Sequence, residues 1–537
     1  MISCPSCGGN VKFDIPSQKL TCDFCHERFD PYAFEDKTKD AEESTSSEQT
    51  EDGEFEVTIF TCPQCGGEIL STDNAAAGFC SFCGASTILY SRISHERRPN
   101  FIIPFKKTKE DCKQAYAELM KKAIFAPKEL KDPSYIDSFR GIYMPYWAFF
   151  ITQKGAMQLP AYKEYRRGDY IYKDHFSLDG SLDAYYKGLS YDASSSYDDS
   201  ISETLAPYDL KGMKAFTPAY LSGFYADTAD VAPSVYQPEA EATATEQSVK
   251  QIGRVPAFAS YSIKDSAATQ ALHTKTEHVD STMFPVWFMS YRRRDRVAYV
   301  TVNGQTGKIA ADIPIAPMKY FLSSLLLAVP LFFVLMLFTL LPKVLVGVTI
   351  FLAVLALILY SVEIGKIRKK DSGADDRGRL YKKGIRIGTR TAAPSKKSSA
   401  DYWISAFVII IVLFNIWPLF ALLPGTIMTT LLVGVGAIAL FVIIVKLAKK
   451  PKASDGLPEM PASSAKSVVG YISSILAIVL GALVLILHPV SDLYYYSAGI
   501  GGLIAVGLCM WDIIRNYNIL STRPLPQFEK QGGDDRA

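Results

Sequence analysis

Six almost uncharged runs constrain this chain of 537 residues more than any other feature, and all of them follow residue 318. Each run has the length of about 20 residues that an α-helix needs to cross a hydrocarbon layer of roughly 30 Å. Helices in a soluble core rarely stay uncharged for so long, so the sequence predicts six transmembrane helices. The runs lie near 320–341, 343–362, 403–423, 425–445, 468–487 and 493–514.

The loops between these runs predict the orientation, because loops rich in Lys and Arg stay in the cytoplasm. The loop over 366–401 carries twelve Lys/Arg against four Asp/Glu, and the loop over 447–466 adds further lysines. The turns at Pro342, Pro424 and Pro489 are short by comparison. We therefore expect three helical hairpins in the cytoplasmic (inner) membrane, with the N- and C-termini in the cytoplasm.

Eight of the ten cysteines form two copies of the pattern C-x2-C-x14-C-x2-C. The two-residue gaps let paired thiolates reach one ion at about 2.3 Å, and the glycines after the second cysteine let the backbone turn tightly around it. Four thiolates close a tetrahedral site, which predicts two structural Zn²⁺ ions with no open position for catalysis. Iron in a rubredoxin-like site uses similar knuckles and is the alternative. The predicted ligands are Cys4, Cys7, Cys22 and Cys25 in one site, and Cys62, Cys65, Cys80 and Cys83 in the other.

Zinc ribbons can bind nucleic acid, but residues 1–90 carry five Lys/Arg against sixteen Asp/Glu. A phosphate backbone demands the opposite sign of charge, so nucleic-acid binding is not expected. The acidic segment over 35–56 has too few apolar residues to fold. It predicts a flexible linker that leaves the first ribbon free to move.

The segment before the membrane runs predicts an α+β domain. YMPYWAFF around Trp147 and FPVWFMSY around Trp287 both place Pro two residues before Trp, which indicates a duplicated strand motif. We expect both indoles in the core, with an aromatic ligand surface as the alternative. Residues 106–123 predict an amphipathic helix. Its expected apolar face is Ala115, Leu119 and Ala123.

The fold class is therefore multidomain, with two small Cys4 zinc ribbons, an α+β cytoplasmic domain and an all-α six-helix transmembrane region. The predicted divisions are zinc ribbon 1 over 1–34, the linker over 35–56, zinc ribbon 2 over 57–90, the α+β domain over 91–316, hairpins over 317–365, 402–446 and 467–515, loops over 366–401 and 447–466, and a tail over 516–537.

Short motifs between the ribbons and the membrane runs occur in a consistent order. They are IIPF at 102–105, YMPYW at 143–147, FTPAYLSGFYAD at 216–227, FPVWFMSY at 284–291 and VNGQTGK at 302–308. With the double knuckle, they resemble a family of bacterial membrane proteins that carry tandem transcription-factor-IIB-type zinc ribbons. The resemblance covers residues 1–315 and does not imply transcription. Some members resemble partners of SPFH and phage-shock membrane-stress systems, which implies recruitment of such proteins to the bilayer.

Closed metal sites and acidic ribbons favour a non-enzymatic scaffold that recruits protein partners to the membrane. The sequence has no HExxH, no GxSxG and no GxGxxG after a strand, so it predicts no catalytic residue. A transporter or channel regulated by the ribbons is the alternative, although the polar groups that mark an ion path are scarce in the runs. They are Asn415, Glu363 and Asp512. A membrane-bound enzyme is a third hypothesis. Membrane lipid is an expected partner. The arginines at 292, 293, 294 and 296 predict a solvated edge, with contact to acidic lipid headgroups as the alternative.

Overall fold

A computed structural model describes most of the chain. It covers residues 3–34, 54–65, 67–71, 80, 90–132, 139–168, 170–195, 197, 199–263, 271–293, 296–335, 337, 341–371, 377–382 and 469–524. Cys83, the acidic segment over 35–53 and the predicted transmembrane runs at 403–423 and 425–445 lie outside the described residues.

The described elements follow the chain in this order. The strands are β1 Val11–Asp14, β2 Lys19–Cys22, β3 Arg28–Phe29, β4 Glu54–Thr61, β5 Glu68–Ser71, β6 Tyr90–Arg97, β7 Phe101–Ile102, β8 Arg140–Arg167, β9 Tyr170–Asp192, β10 Lys214–Ala215, β11 Tyr225–Ala226, β12 Ser262–Ile263, β13 Thr274–Arg293, β14 Arg296–Asn303, β15 Ile309–Ala311 and β16 Arg523–Pro524. The helices are α1 Lys109–Lys122, α2 Asp199–Leu205, α3 Gln237–Ile252, α4 Pro317–Leu335, α5 Pro342–Asp371, α6 Arg377–Lys382, α7 Val469–Leu487 and α8 Asp492–Leu520.

The strands form two sheets. β1, β2 and β3 make a small antiparallel sheet in the first ribbon, whereas β4 to β16 join one large sheet. β4, β5 and β6 of the second ribbon belong to this large sheet, because β5 pairs with β11. The second ribbon is therefore continuous with the α+β domain that follows it, and we call the whole unit the sheet domain. β4 begins at Glu54, within the segment predicted as a linker.

Two hairpins, β8–β9 and β13–β14, form the centre of the sheet domain. β8 and β13 pair antiparallel through the two aromatic segments, so that Pro145 lies opposite Met283 and Pro285 lies opposite Tyr143. A short strand adds to each in parallel, β11 to β8 and β7 to β13. β8, β9 and β11 form one half of this centre, and β13, β14 and β7 form the other. Each strand of one half has the same pairing as its counterpart in the other half, which is the arrangement expected of a duplicated motif.

Both tryptophans of the aromatic segments lie in the core. Trp147 donates its indole N–H to the carbonyl of Val231, and Trp287 donates to the carbonyl of Lys107, each at 2.8 Å. Their exposed fractions are 9% and 6%. Each indole buries its ring and satisfies its one polar atom, which is how tryptophan is used in protein cores.

Helix α1 packs against the sheet domain through a face that overlaps the expected one, since Leu119 and Ala123 are half-buried against the same core as its fully buried residues. It begins after Thr108, whose hydroxyl accepts from the backbone N–H of Asp111 while the Asp111 carboxylate accepts from the backbone N–H of Thr108. This reciprocal cap fixes the start of the helix. The buried residues are Cys112, Tyr116 and Met120.

Four described helices are long and apolar enough to cross a membrane: α4, α5, α7 and α8. They correspond to the first, second, fifth and sixth predicted runs. α5, α7 and α8 pack together through small residues, with Gly481 facing Ile350 and Gly502 facing Thr349. Close approach at glycine is a common way for membrane helices to associate.

Three separate segments join the sheet domain to the same end of this bundle. α4 follows the sheet directly, and α6, six residues beyond the end of α5, returns to the sheet domain through Arg377. After α8, strand β16 pairs with β14. The sheet domain, α6 and β16 therefore lie at one end of the four long apolar helices.

Candidate metal centres

The first cysteine cluster has the geometry of a tetrahedral metal site. The Sγ atoms of Cys4, Cys7, Cys22 and Cys25 all lie within 4.8 Å of one another. The Cys4–Cys25 distance is 3.6 Å and the Cys7–Cys22 distance is 3.4 Å. Four sulfurs at about 2.3 Å from one zinc ion are about 3.8 Å apart. The spacing and the soft thiolate donors therefore fit Zn²⁺, which these four residues would hold as a closed structural site.

The backbone around this cluster makes two similar turns. Gly8 donates its N–H to the carbonyl of Cys4 at 2.8 Å, and His26 donates to the carbonyl of Cys22 at 3.1 Å. Gly8 has φ 72° and His26 has φ 58°, so both occupy the left-handed region. His26 fills the position that glycine fills in the first turn, and its side chain is exposed. Its role is therefore in the turn, and the four thiols provide the ligands.

Cys22 is prepared to act as a thiolate. The backbone N–H groups of Cys25 and Phe24 lower the pKa of the Cys22 thiol to about 6. The Phe24 N–H lies 3.4 Å from the Cys22 sulfur. Because the thiolate is the form that binds metal, these amide groups favour the metal-binding form of Cys22 itself.

The second cluster brings together three of its four predicted ligands. The sulfurs of Cys62, Cys65 and Cys80 lie within 4.8 Å of one another, with Cys65 and Cys80 at 3.7 Å. Gly67 donates its N–H to the Cys65 sulfur at 3.4 Å and accepts from the N–H of Cys62 at 2.9 Å. These distances fit the same ion, whereas Cys83 lies outside the described residues.

The two clusters differ in exposure. In the first, Cys7 and Cys25 are exposed to solvent, while in the second Cys62, Cys65 and Cys80 are all buried. Within the part of the chain that the structure describes, no other set of three or more Cys, His, Asp or Glu side chains brings its donor atoms this close together.

The first ribbon is docked on the sheet domain. Its Phe13 ring meets Tyr220 edge to face at 5.2 Å, and the Phe13 N–H donates to the carbonyl of Ser222 at 3.0 Å. Gln18 donates its side-chain amide to the carbonyl of Phe105 at 2.7 Å. These contacts hold the ribbon in place, in contrast to the free movement predicted from the acidic linker.

Docking leaves the metal end of the first ribbon open to solvent. Phe24, in the second knuckle between Cys22 and Cys25, is 73% exposed. The spacing of the cysteines alone does not single out Phe24. The sequence does contain a repeated feature at this position. The corresponding knuckle of the second repeat also carries a phenylalanine, Phe82, before its last cysteine. A large apolar side chain exposed in this way marks a candidate contact surface.

Two cysteine clusters that fit zinc ribbons, a large α+β sheet domain and four long apolar helices indicate a membrane-associated protein with ribbon-type metal sites. No protein-family model matches the chain. It is similar to the protein named "Uncharacterized protein YdjG" of Bacillus subtilis (strain 168), with 26% identity over 318 residues that make up 58% of this chain and 89% of that protein. No solved structure matches the chain.

Proposed function

We propose that the protein is a membrane-anchored scaffold or adaptor that recruits a protein partner to the cytoplasmic face of the membrane. Its metal sites are structural in this proposal, and it catalyses no reaction. The membrane-stress partners suggested by the family resemblance are the partner class that we would test first.

The exposed knuckle on a docked ribbon is the observation that carries this proposal. Phe24 is 73% exposed, while Phe13 and Gln18 fix the same ribbon to the sheet domain. A contact residue on a rigid support loses little freedom when a partner binds, which favours affinity. Aromatic side chains are also enriched among the residues that dominate binding energy.

Charge supports a partner with a basic surface. Residues 1–90, which contain both ribbons, carry five Lys/Arg against sixteen Asp/Glu. Charge complementarity across an interface guides encounter and excludes partners of the same sign. The cytoplasmic placement rests on the basic loop over 366–401, part of which, α6, contacts the sheet domain.

The test is crosslinked co-purification from native membranes, followed by mass spectrometry, with wild type and Phe24→Ala. Tyr170→Ala is the matched control, because Tyr170 is also 73% exposed but lies in the long β8–β9 hairpin. We expect Phe24→Ala to lose a specific partner while both bound metal ions remain, and Tyr170→Ala to keep it. An unchanged set of partners after Phe24→Ala, or after Cys62→Ser combined with Cys80→Ser, contradicts the proposal.

One observation favours the second candidate, a transporter or channel regulated by the ribbons. Asp512 is 3% exposed within the helix bundle, and the Tyr360 hydroxyl donates to its carboxylate at 2.6 Å. The Ser474 hydroxyl is also fully buried, on the adjacent helix α7. Buried ionisable groups in membrane helices often mark ion paths. Ion flux in liposomes that changes on metal removal and is lost in Asp512→Asn would support this candidate.

A further inference from the structure

A pocket lies where the sheet domain meets the helix bundle, and neither the ribbons nor the proposed scaffold role uses it. Its walls come from Tyr291 on β13, from Pro314 and Pro317 before and at the start of α4, and from the last turns of α8. The volume of this open pocket is about 300 Å³. This volume is at the lower end of the range for ligand pockets, and it suits one part of a larger amphiphile.

The walls of this pocket are held in place by contacts between distant parts of the chain. The side-chain amide of Asn518 donates to the carbonyl of Ile315 at 2.8 Å and accepts from its N–H at 2.7 Å. Trp511 stacks on Phe321 with ring centroids 5.7 Å apart. The pocket is therefore preformed between α4, α8 and the sheet domain.

The depth of the pocket follows from helix geometry. Between Asp492, where α8 begins, and Trp511, the helix rises roughly 30 Å, which is the thickness of the hydrocarbon layer. Arg515 lies one turn further, at the level of the lipid headgroups. Tryptophan and arginine at these two depths are typical of a membrane interface.

Arg515 is the one charged residue among those that line the pocket. Its side chain is exposed, and no hydrogen bond or ion pair to another described residue holds it. The other lining residues are apolar or uncharged. The pocket thus combines an apolar interior with one available cation.

We propose that this pocket binds an anionic phospholipid of the bilayer, with part of an acyl chain in the pocket and the phosphate at Arg515. An apolar cavity at the edge of the hydrocarbon layer accepts a chain, and the guanidinium pairs with the phosphate in the headgroup layer. This site is separate from the arginines at 292, 293, 294 and 296, for which headgroup contact is the alternative to a solvated edge.

The test uses the full chain, purified in an uncharged detergent and titrated with phosphatidylglycerol, phosphatidylcholine or inorganic phosphate. Native mass spectrometry counts the bound molecules. We expect one phosphatidylglycerol to bind in preference to phosphatidylcholine, and Arg515→Gln to weaken its binding about fivefold, as for loss of one cation at an anionic surface. Lys343→Gln is the control, because it removes an exposed cation at the far end of the bundle.

A second variant keeps the test decisive if Arg515→Gln does not fold. Ile519→Phe adds volume to the pocket and leaves Arg515 in place, so we expect it to reduce binding of both lipids. Equal affinity for the two lipids in wild type overturns the proposal. Competition by inorganic phosphate at the same concentration as phosphatidylglycerol also overturns it, because the site would then recognise free phosphate.

Discussion

Arg377 is the residue on which the return of α6 to the sheet domain depends. Its guanidinium lies 2.7 Å from the Glu239 carboxylate, and its backbone N–H donates to Asp199 at 2.7 Å. The Arg377 side chain is 6% exposed and the Glu239 side chain 16%. A charge pair buried to this degree is costly to break from one side, because the remaining charge has no partner.

We predict that Arg377→Met lowers the free energy of unfolding by about 3–5 kcal/mol, since it removes the cation that lies 2.7 Å from the largely buried Glu239 carboxylate. Thermal unfolding in detergent and hydrogen exchange of residues 377–382 measure this effect. The double variant Arg377→Met with Glu239→Gln should recover part of the loss. Unchanged stability of the single variant would show that the ion pair does not hold α6.

The two candidate metal centres differ in how far their cysteine ligands are exposed to solvent. Cys7 and Cys25 are exposed in the first, whereas Cys62, Cys65 and Cys80 are buried in the second. We therefore predict two kinetic phases when a coloured chelator removes metal from the protein, because solvent and chelator reach exposed ligands first. Cys7→Ser should abolish the fast phase and leave the slow one. A single phase for wild type would contradict this assignment.

For single residues, the sequence predicted the metal ligands best, because the spacing of the cysteines determines which sulfurs can reach one ion. The cysteine pattern predicted which sulfurs meet, and seven of the eight predicted ligands lie in the two described clusters. On α1, by contrast, the centre of the buried face is Tyr116, while the expected Leu119 is only half-buried against the same core. The Tyr116 hydroxyl donates to the carbonyl of Leu130 at 2.8 Å, a contact outside the helix that the periodicity of the helix does not reveal.

At the scale of elements, the two central hairpins repeat each other in detail. The carbonyls of Pro145 and Pro285 accept from the N–H groups of Ala193 and Gly304, each at 2.8 Å. Each acceptor lies in the long strand of a hairpin, and each donor directly follows the second strand. The shared aromatic segments indicated a repeat. The pairing of the two hairpins with each other could not be predicted, because β8 and β13 are separated by more than a hundred residues of sequence.

The ends of the membrane helices show what hydropathy can and cannot locate. The second predicted run stops near residue 362, yet α5 continues to Asp371. Hydropathy marks where the hydrocarbon layer ends, whereas the helix continues as long as its backbone hydrogen bonds continue. Beyond the apolar run, Glu363 and Lys366 pair at 2.6 Å on the helix surface.

Gly481 on α7 sets how closely α5 can approach. A Cβ atom at this position would lie 2.6 Å from a side-chain carbon of Ile350, which is too close for two carbon atoms. We predict that Gly481→Ala lowers the free energy of unfolding of the bundle by about 1–3 kcal/mol, through overpacking. Gly501→Ala on α8 is the control, because its Cβ meets nothing within 4 Å. Unfolding in detergent of both variants measures the difference, and equal effects would contradict the packing explanation.

At the scale of the whole molecule, docking joins parts that the sequence presented as separate. The first ribbon lies on the sheet domain through Phe13 and Gln18, the second ribbon is part of its sheet, and α6 and β16 return to it from the membrane helices. None of these contacts has a local signal, since each joins segments far apart in the chain. Together they make the exposed knuckle of the first ribbon a fixed feature of the surface of the sheet domain.

The same connections make the orientation testable with two positions. Ile124 is 70% exposed in the sheet domain, and Val490 is fully exposed in the turn between α7 and α8, at the opposite end of the bundle. Loops rich in Lys and Arg favour the cytoplasm, so our proposal expects the sheet domain inside the cell. We predict that a membrane-impermeant maleimide labels Val490→Cys in intact cells and labels Ile124→Cys only after the membrane is opened.

Among the native cysteines in the described residues, Cys7 and Cys25 are exposed, so wild-type protein labelled in parallel supplies the background. The reverse pattern of labelling would put the ribbons outside the cell and would exclude the cytoplasmic scaffold, whatever partner the knuckle binds.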